Sequence, residues 1–161
     1  MLKRIKINQF IVLMAVMVIG FAACDRGVIY TDSQRVNSDG WNMNDKCYFD
    51  VDIDDTIGIY TFYIDLLVTP DYPYSNAFFF INTTFPDGRM ACDTLEYPLA
   101  DVDGRWYGRR TGRYIDSRSA FRSNMIFPEK GHYQFEVAHA MRDTNIVGIQ
   151  NVGLRIARSE R

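Results

Sequence analysis

The sequence predicts an all-β protein, a single antiparallel β-sandwich of immunoglobulin-like or jelly-roll kind. Three observations carry this reading. Beyond position 46, apolar residues recur with a period of two in segment after segment, the spacing of a strand with one face buried. Turn-forming residues (Pro70, Pro86-Asp87-Gly88, Pro98, Pro128 and Gly131) separate those segments. No stretch sustains the 3.6-residue period of an amphipathic helix. Composition agrees: ten Tyr and eleven Phe among 161 residues suit strands more than helices.

The elements follow in order. Cys47, Phe49, Val51 and Ile53 share one face, and Tyr48, Asp50, Asp52 and Asp54 the other, which makes a half-buried strand. Residues 57–69 repeat the pattern through Tyr60, Phe62, Ile64, Leu66 and Val68, and Pro70 ends it. Residues 71–76 are a turn-rich connection. Residues 77–85 are apolar on both faces, which predicts a central strand with Phe80 in the core. Pro86-Asp87-Gly88 has the residues of a type I or II turn, so 89–96 returns as the second arm of a hairpin. Residues 99–120, with Gly104, Gly108 and Gly112, read as irregular, and 124–127 as a short strand before Pro128. Residues 132–138 turn Tyr133, Phe135 and Val137 inwards, and 152–157 do the same with Val152, Leu154 and Ile156. Seven or eight short strands separated by turns imply a two-sheet domain.

The first 24 residues carry a different signature. Lys3, Arg4 and Lys6 precede an unbroken apolar run of twelve residues, 10–21, and Ala22, Ala23 and Cys24 follow. A basic flank, a short apolar core and small residues before a cut site make a secretory signal peptide, and the run is shorter than the ~20 residues of a membrane-spanning helix. A cysteine directly after the small residues is the lipobox of bacterial lipoproteins, here Phe21-Ala22-Ala23-Cys24, with Phe where Leu is commoner. The expected organisation is a lipoprotein signal peptide over 1–23, a lipidated tether over 24–45 whose Trp41 docks on the domain, and a β-sandwich over 46–161. Lipidation at Cys24 makes a membrane the first expected partner.

Charge narrows the remaining functions. After residue 23, 15 basic residues face 20 acidic ones, a formal net charge of −5, which argues against nucleic acid as the main partner. The distribution is uneven. Residues 24–103 hold 15 acids and four bases, and residues 104–161 hold 11 bases and five acids. Such asymmetry reflects complementary faces, within one fold or towards a partner.

Little in the chain points to catalysis, a cofactor or a metal. Asp50-Val51-Asp52-Ile53-Asp54-Asp55 begins like a calcium loop, but an EF-hand needs Gly at its sixth place and Glu at its twelfth, where Asp55 and Thr61 stand. His132 and His139 are the only histidines, and seven residues apart on one strand they point to opposite faces. No nucleophile elbow, phosphate-binding loop or Cys-His constellation appears. Export permits a Cys47–Cys92 disulfide, whose loop would contribute about 4 kcal/mol in the chain-entropy model, while Cys47 suits a buried free thiol equally well. Residues 104–122 carry six Arg and one Asp. Arg between aromatics binds anionic surfaces. The alternative is a segment that folds over the acidic first half, with a residual interaction surface at Trp106, Arg109 and Arg110.

Several stretches together give the chain a family likeness. These are Tyr72-Pro73-Tyr74-Ser75-Asn76, Asp93-Thr94-Leu95-Glu96, Leu99-Ala100-Asp101 and Gly104-x-Trp106-x-Gly108, then Phe127-Pro128-x-x-Gly131-x-Tyr133-x-Phe135, Ala140-Met141-Arg142 and Gly148-Ile149-x-x-Val152-Gly153-Leu154-Arg155-Ile156. Ordered in this way behind a lipobox, they resemble the gliding-motility lipoprotein GldH family of Bacteroidota. The resemblance implies a non-enzymatic cell-envelope lipoprotein, a subunit or assembly factor linked to gliding motility and type IX secretion, with other envelope proteins as partners. It carries over no catalytic residue. The expected location is the outer membrane, facing the periplasm, although Asp25 after the lipidated cysteine means inner-membrane retention in some bacteria. The alternative function is a carbohydrate-binding envelope lipoprotein that stacks sugar on Trp106, Tyr107 or Tyr74.

Overall fold

Strand pairing in the computed structural model is that of one long hairpin rolled up on itself. The structure describes residues 27–37 and 39–159, so the signal segment and Cys24 lie outside the described residues. The strands are β1 (Val28–Arg35), β2 (Trp41–Asn42), β3 (Cys47–Ile53), β4 (Tyr60–Val68), β5 (Asn76–Thr84), β6 (Met90–Pro98), β7 (Arg109–Thr111), β8 (Tyr114–Met125), β9 (Gly131–His139), β10 (Asn145–Ile146) and β11 (Ile149–Arg158). One sheet has the order β1-β11-β4-β8-β7, the other β3-β9-β5-β6, and β2 pairs with β10. Among the eight long strands, first pairs with last, second with seventh, third with sixth and fourth with fifth, all antiparallel. That nesting is the jelly-roll arrangement, one of the two sandwich types expected. The tip of the rolled hairpin is Pro86-Asp87-Gly88, closed by Gly88 N–H donating to Phe85 O at 2.9 Å, with Gly88 at φ +85°.

The inward residues are those the alternation selects. β3 buries Cys47, Phe49, Val51 and Ile53, and β4 buries Tyr60, Phe62, Ile64, Leu66 and Val68. β9 and β11 add Tyr133, Phe135, Val137, Val152, Leu154 and Ile156. Phe62 joins the sheets, its ring centroid 5.8 Å from Phe135 and 5.4 Å from Phe127. Trp41 is buried as expected and donates from Nε1 to Asp45 O at 2.6 Å.

Four expectations need correction. Residues 28–35 are no tether: they form β1, paired along its length with β11. On its core side Asp32 is exposed and Gln34 half-buried, and Gln34 bonds the backbone of Tyr48 in β3, so this edge closes through hydrogen bonds and leaves no apolar pattern to read. The irregular 99–120 contains β7 and most of β8. β8 alternates Ile115, Ser117, Ser119 inwards against Asp116, Arg118, Ala120 outwards, and its inward serines hide the period; Ser117 meets the buried Tyr97 hydroxyl at 3.1 Å. Phe80 lies on the outer face of its strand and is 45% exposed, because only the odd-numbered residues of β5 face the core. Cys47 and Cys92 are free thiols, on β3 and β6 at opposite edges of one sheet. Two strands lie between them, which makes roughly 14 Å at ~4.8 Å per strand spacing, twice the reach of a disulfide. Burial pushes the Cys47 thiol up to about 11.

The histidines do face opposite ways. His132 is exposed, its Nδ1 3.0 Å from Asp52 Oδ1 and its Nε2 3.2 Å from Asp50 Oδ1. His139 is buried, its Nε2 3.0 Å from Trp41 O. Hydrogen bonding to Asp52 and Asp50 raises the pKa of His132, whereas burial lowers that of His139.

Two predictions follow from this core. Phe135→Ala costs about 3–5 kcal/mol by leaving a cavity between the sheets, and Phe80→Ala less than about 1 kcal/mol because the ring is half in solvent. Urea unfolding of both variants checks this, and comparable losses would contradict the face assignment of β5. In an NMR titration, His132 has its midpoint above the ordinary 6.5 and His139 below it. The tie from His132 to the two aspartates supports folding below pH 6.5 and is lost as pH rises through its raised pKa. Neutral His139 supports folding above pH 6.5 and that support is lost as pH falls towards its lowered pKa. Reversed midpoints would contradict both placements.

Candidate functional site

Rolling the hairpin gives the sandwich two distinct ends. At the near end, Val28 pairs with Ala157, Arg158 with Tyr60, and Tyr60 with Met125, so the described chain begins there. At the far end, Ile149 pairs with Val68 and Val68 with Ile115. The eight residue steps of β4 separate the two by roughly 27 Å at ~3.4 Å per residue. The expected interaction residues all lie at the far end, Trp106 on the segment that leads into β7 and Arg109 and Arg110 in β7 itself.

Local chemistry shapes this segment. Asp101 Oδ1 accepts from the backbone N–H of Asp103 at 2.9 Å and of Arg105 at 2.8 Å, which folds 101–105 into a turn with Gly104 at φ +78°. Trp106 then bridges Ala100, and Tyr107 N–H donates to Leu99 O at 2.7 Å. Trp106 is partly buried against the core. Gly108 has φ +108°, and a Cβ there would sit 2.4 Å from Asp116 O, so only glycine lets the chain approach β8 this closely. β7 follows, with Arg109 opposite Asp116 and Arg110 opposite Ile115. Gly112, at φ +62° in the first place of the two-residue connection to Tyr114, has the pattern of a II′ hairpin turn.

The six Arg of 104–122 divide into two groups. Arg118 donates to both oxygens of Asp65 at 2.6 and 3.0 Å, and Arg122 donates from Nε to Asp93 Oδ2 at 2.9 Å. Arg113 reaches Asp71 at 3.5 Å and Arg105 reaches Asp103 at 3.9 Å, both pairs exposed. Arg118, Arg122 and Arg113 thus answer acids of the first half, as the folding-over alternative expects. Arg109 and Arg110 are exposed and make no ion pair with a described residue; Arg110 Nε donates to Gly112 O at 3.3 Å.

Neighbouring loops brace this end. Ser75 O accepts from Leu99 and Ala100 N–H at 2.8 and 2.9 Å. Tyr74 donates to Asp143 and meets Tyr72 edge-on at 5.7 Å, while Tyr72 donates to Asn76 O at 2.9 Å. Five of the stretches behind the family likeness (72–76, 99–101, 104–108, 140–142 and 148–149) therefore meet in space here. Sequence reasoning missed Asp101 as the organiser of the turn, although Asp101-Val102-Asp103-Gly104 carries an Asx-turn signal. It also missed a largely apolar cleft of about 200 Å³ between the sheets near β6 and β8, lined by Phe62, Phe85, Phe121, Met125, Phe127 and Tyr133 among others. Those residues come from separate strands and loops, and only the fold assembles them.

Comparison with known proteins adds identity. The family described as GldH lipoprotein matches residues 28–156. A protein of Christiangramia forsetii named gliding motility lipoprotein GldH homolog is 31% identical over 150 residues, covering 89% of this chain and 91% of that one. The gliding motility lipoprotein GldH of Flavobacterium johnsoniae is 26% identical over 164 residues, covering 98% and 99%. Among solved structures, the infectious bursal disease virus VP2 subviral particle is similar at TM-score 0.33 and 14% identity, over 80% of this chain and 30% of that one, a level that carries no argument.

The close approach at Gly108 generates a prediction. Gly108→Ala costs about 1–3 kcal/mol through strain at a positive φ and contact with β8. It also speeds amide exchange in β7 and the adjoining end of β8. Unchanged melting and exchange would show that the segment does not need this contact.

Proposed function

This chain belongs to the GldH lipoprotein family, and from that premise we propose that it is a non-enzymatic subunit or assembly factor of an envelope motility and type IX secretion apparatus. In this reading Cys24 is lipidated, the domain stands on the outer membrane facing the periplasm, and the Arg109–Arg110 hairpin contacts a partner protein. The observation that carries it is the polarity of the domain. The chain enters the fold at the near end, and Arg109 and Arg110, exposed side chains that make no ion pair with a described residue, sit on one hairpin at the far one. A tethered protein that works by contact presents its contact surface away from its anchor. Exposed Arg beside a packed aromatic is a frequent interface anchor. The relatives named gliding motility lipoproteins support the motility setting.

Carbohydrate binding finds less support. Sugar stacking needs an exposed row of rings. Here Trp106 is packed against the core and Tyr74 is tied to Asp143 and Tyr72, which leaves Tyr107 as the exposed ring of the three.

Replacing Arg109 and Arg110 together with Ala tests the contact. Melting should stay within the small range expected of exposed side chains, ~0.5 kcal/mol, while the yield of crosslinked partner in intact envelopes falls. Lower stability with an unchanged yield per folded molecule would turn these arginines into intramolecular charge balance and end this reading. Cys24→Ala tests the anchor: it should release the protein from membranes or leave an unprocessed precursor. Normal fractionation at normal mass would rule lipidation out.

A further inference from the structure

The near end gathers exposed isoleucines, whereas the exposed apolar side chains of the far end include Met43, Tyr74, Val102, Tyr107 and Val147. Ile57 is 87% exposed, Ile126 53%, Ile29 40% and Ile59 38%, and these are all the exposed isoleucines among the described residues. They come from three separate places in the sequence, yet hydrogen bonding ties them to the point where the chain enters the fold. Arg158 N–H donates to Gly27 O at 2.7 Å, and the next residue, Ser159, donates to Ile59 O at 2.8 Å. Tyr60 pairs with both Arg158 and Met125, the residue before Ile126. Ile29 sits at the register shift where β1 begins its pairing with β11.

The turn that presents Ile57 is preformed. Asp55 Oδ1 accepts from Ile57 N–H at 2.8 Å and Gly58 N–H at 3.1 Å, and its Oδ2 accepts from Tyr60 OH at 2.9 Å and Arg158 Nη2 at 2.5 Å. These bonds hold the Asp55 carboxyl well below the usual carboxylate range. Other charges nearby are matched too, since Arg89 pairs with Asp87 and Glu129. Asp54 and Lys130 also lie at this end, so the named groups here are four acids (Asp54, Asp55, Asp87, Glu129) and three bases (Arg89, Lys130, Arg158).

Chain length decides what faces this surface. Cys24 is three residues before Gly27, and three residues reach at most about 11 Å. We propose that the near end is a membrane-seating surface, in which Ile57, Ile59, Ile126 and Ile29 rest in the headgroup–acyl boundary of the bilayer that holds the lipidated Cys24. This rests on the lipoprotein reading above. An apolar surface within about 11 Å of a lipidated cysteine meets bilayer before it meets any diffusing partner. Seating fixes the orientation of the domain, with the long strands rising from the membrane and the Arg109–Arg110 hairpin held off it.

The native tryptophans make the test simple, because Trp41 and Trp106 both lie at the far end. The full lipidated chain and its Ile57→Trp variant are reconstituted into vesicles of phosphatidylethanolamine and phosphatidylglycerol with brominated acyl chains. Bromine should quench the added indole roughly twofold or more above the native pair, since an interfacial apolar face reaches ~5–10 Å into the boundary. Adding Ile126→Asp should reduce that quenching while the chain still floats with the vesicles. A floating chain whose added indole is quenched no more than the native pair would overturn the seating and leave the anchor standing. Blue-shifted, unquenched emission that depends on protein concentration would overturn it in favour of a protein contact. A chain that does not float with vesicles would overturn the anchor reading and the seating with it.

Discussion

The pairing of the first long strand with the last is the constraint on which the rest of the molecule depends. β1 and β11 run antiparallel from Val28–Ala157 to Arg35–Asn151. These partners are the most distant in sequence, so their meeting closes the roll and is costly in loop entropy unless the inner pairs have formed. Once closed, it determines where the chain enters the fold. That one fact gives the sandwich a near and a far end, and both functional proposals stand on the distinction.

The rolled hairpin also explains the uneven charge. Acids dominate the first arm and bases the second, and nesting the arms brings them together. Asp65 of β4 lies beside Arg118 of β8 and 3.7 Å from Arg155 of β11, Asp93 of β6 meets Arg122 of β8, and Asp55 meets Arg158. These pairs are partly exposed, so each contributes modestly to stability. Their larger effect is on what remains. Intramolecular pairing uses most of the second-half arginines, and Arg109 and Arg110 remain as adjacent exposed side chains with no ion pair to a described residue.

Strands that bury one complete apolar face were legible in the sequence: β3, β4, β9 and β11 follow from alternation alone. Strands at the margins were not. β1 faces inward with Gln34, and β8 with Ser117 and Ser119, because near an edge or against a tyrosine hydroxyl a polar side chain can be hydrogen-bonded at the positions where alternation looks for apolar ones. Phe80 misled for the opposite reason: an apolar residue on an outer face reads like core. At the far end, the clustering of arginine was visible, but which arginines would find partners was not, since Asp65 and Asp93 are 53 and 29 residues from theirs. The apolar near end was invisible, because Ile29, the Ile57–Ile59 turn and Ile126 reach one end of the sandwich only through the roll.

The central claim is that the domain is polar, with lipid at one end and a protein partner at the other. In-cell photo-crosslinking tests it most directly, with a photoreactive residue placed at position 57 in one strain and position 110 in another. The account predicts lipid adducts without protein adducts from position 57, and a discrete protein adduct from position 110. A protein adduct at position 57 with none at position 110 would contradict it.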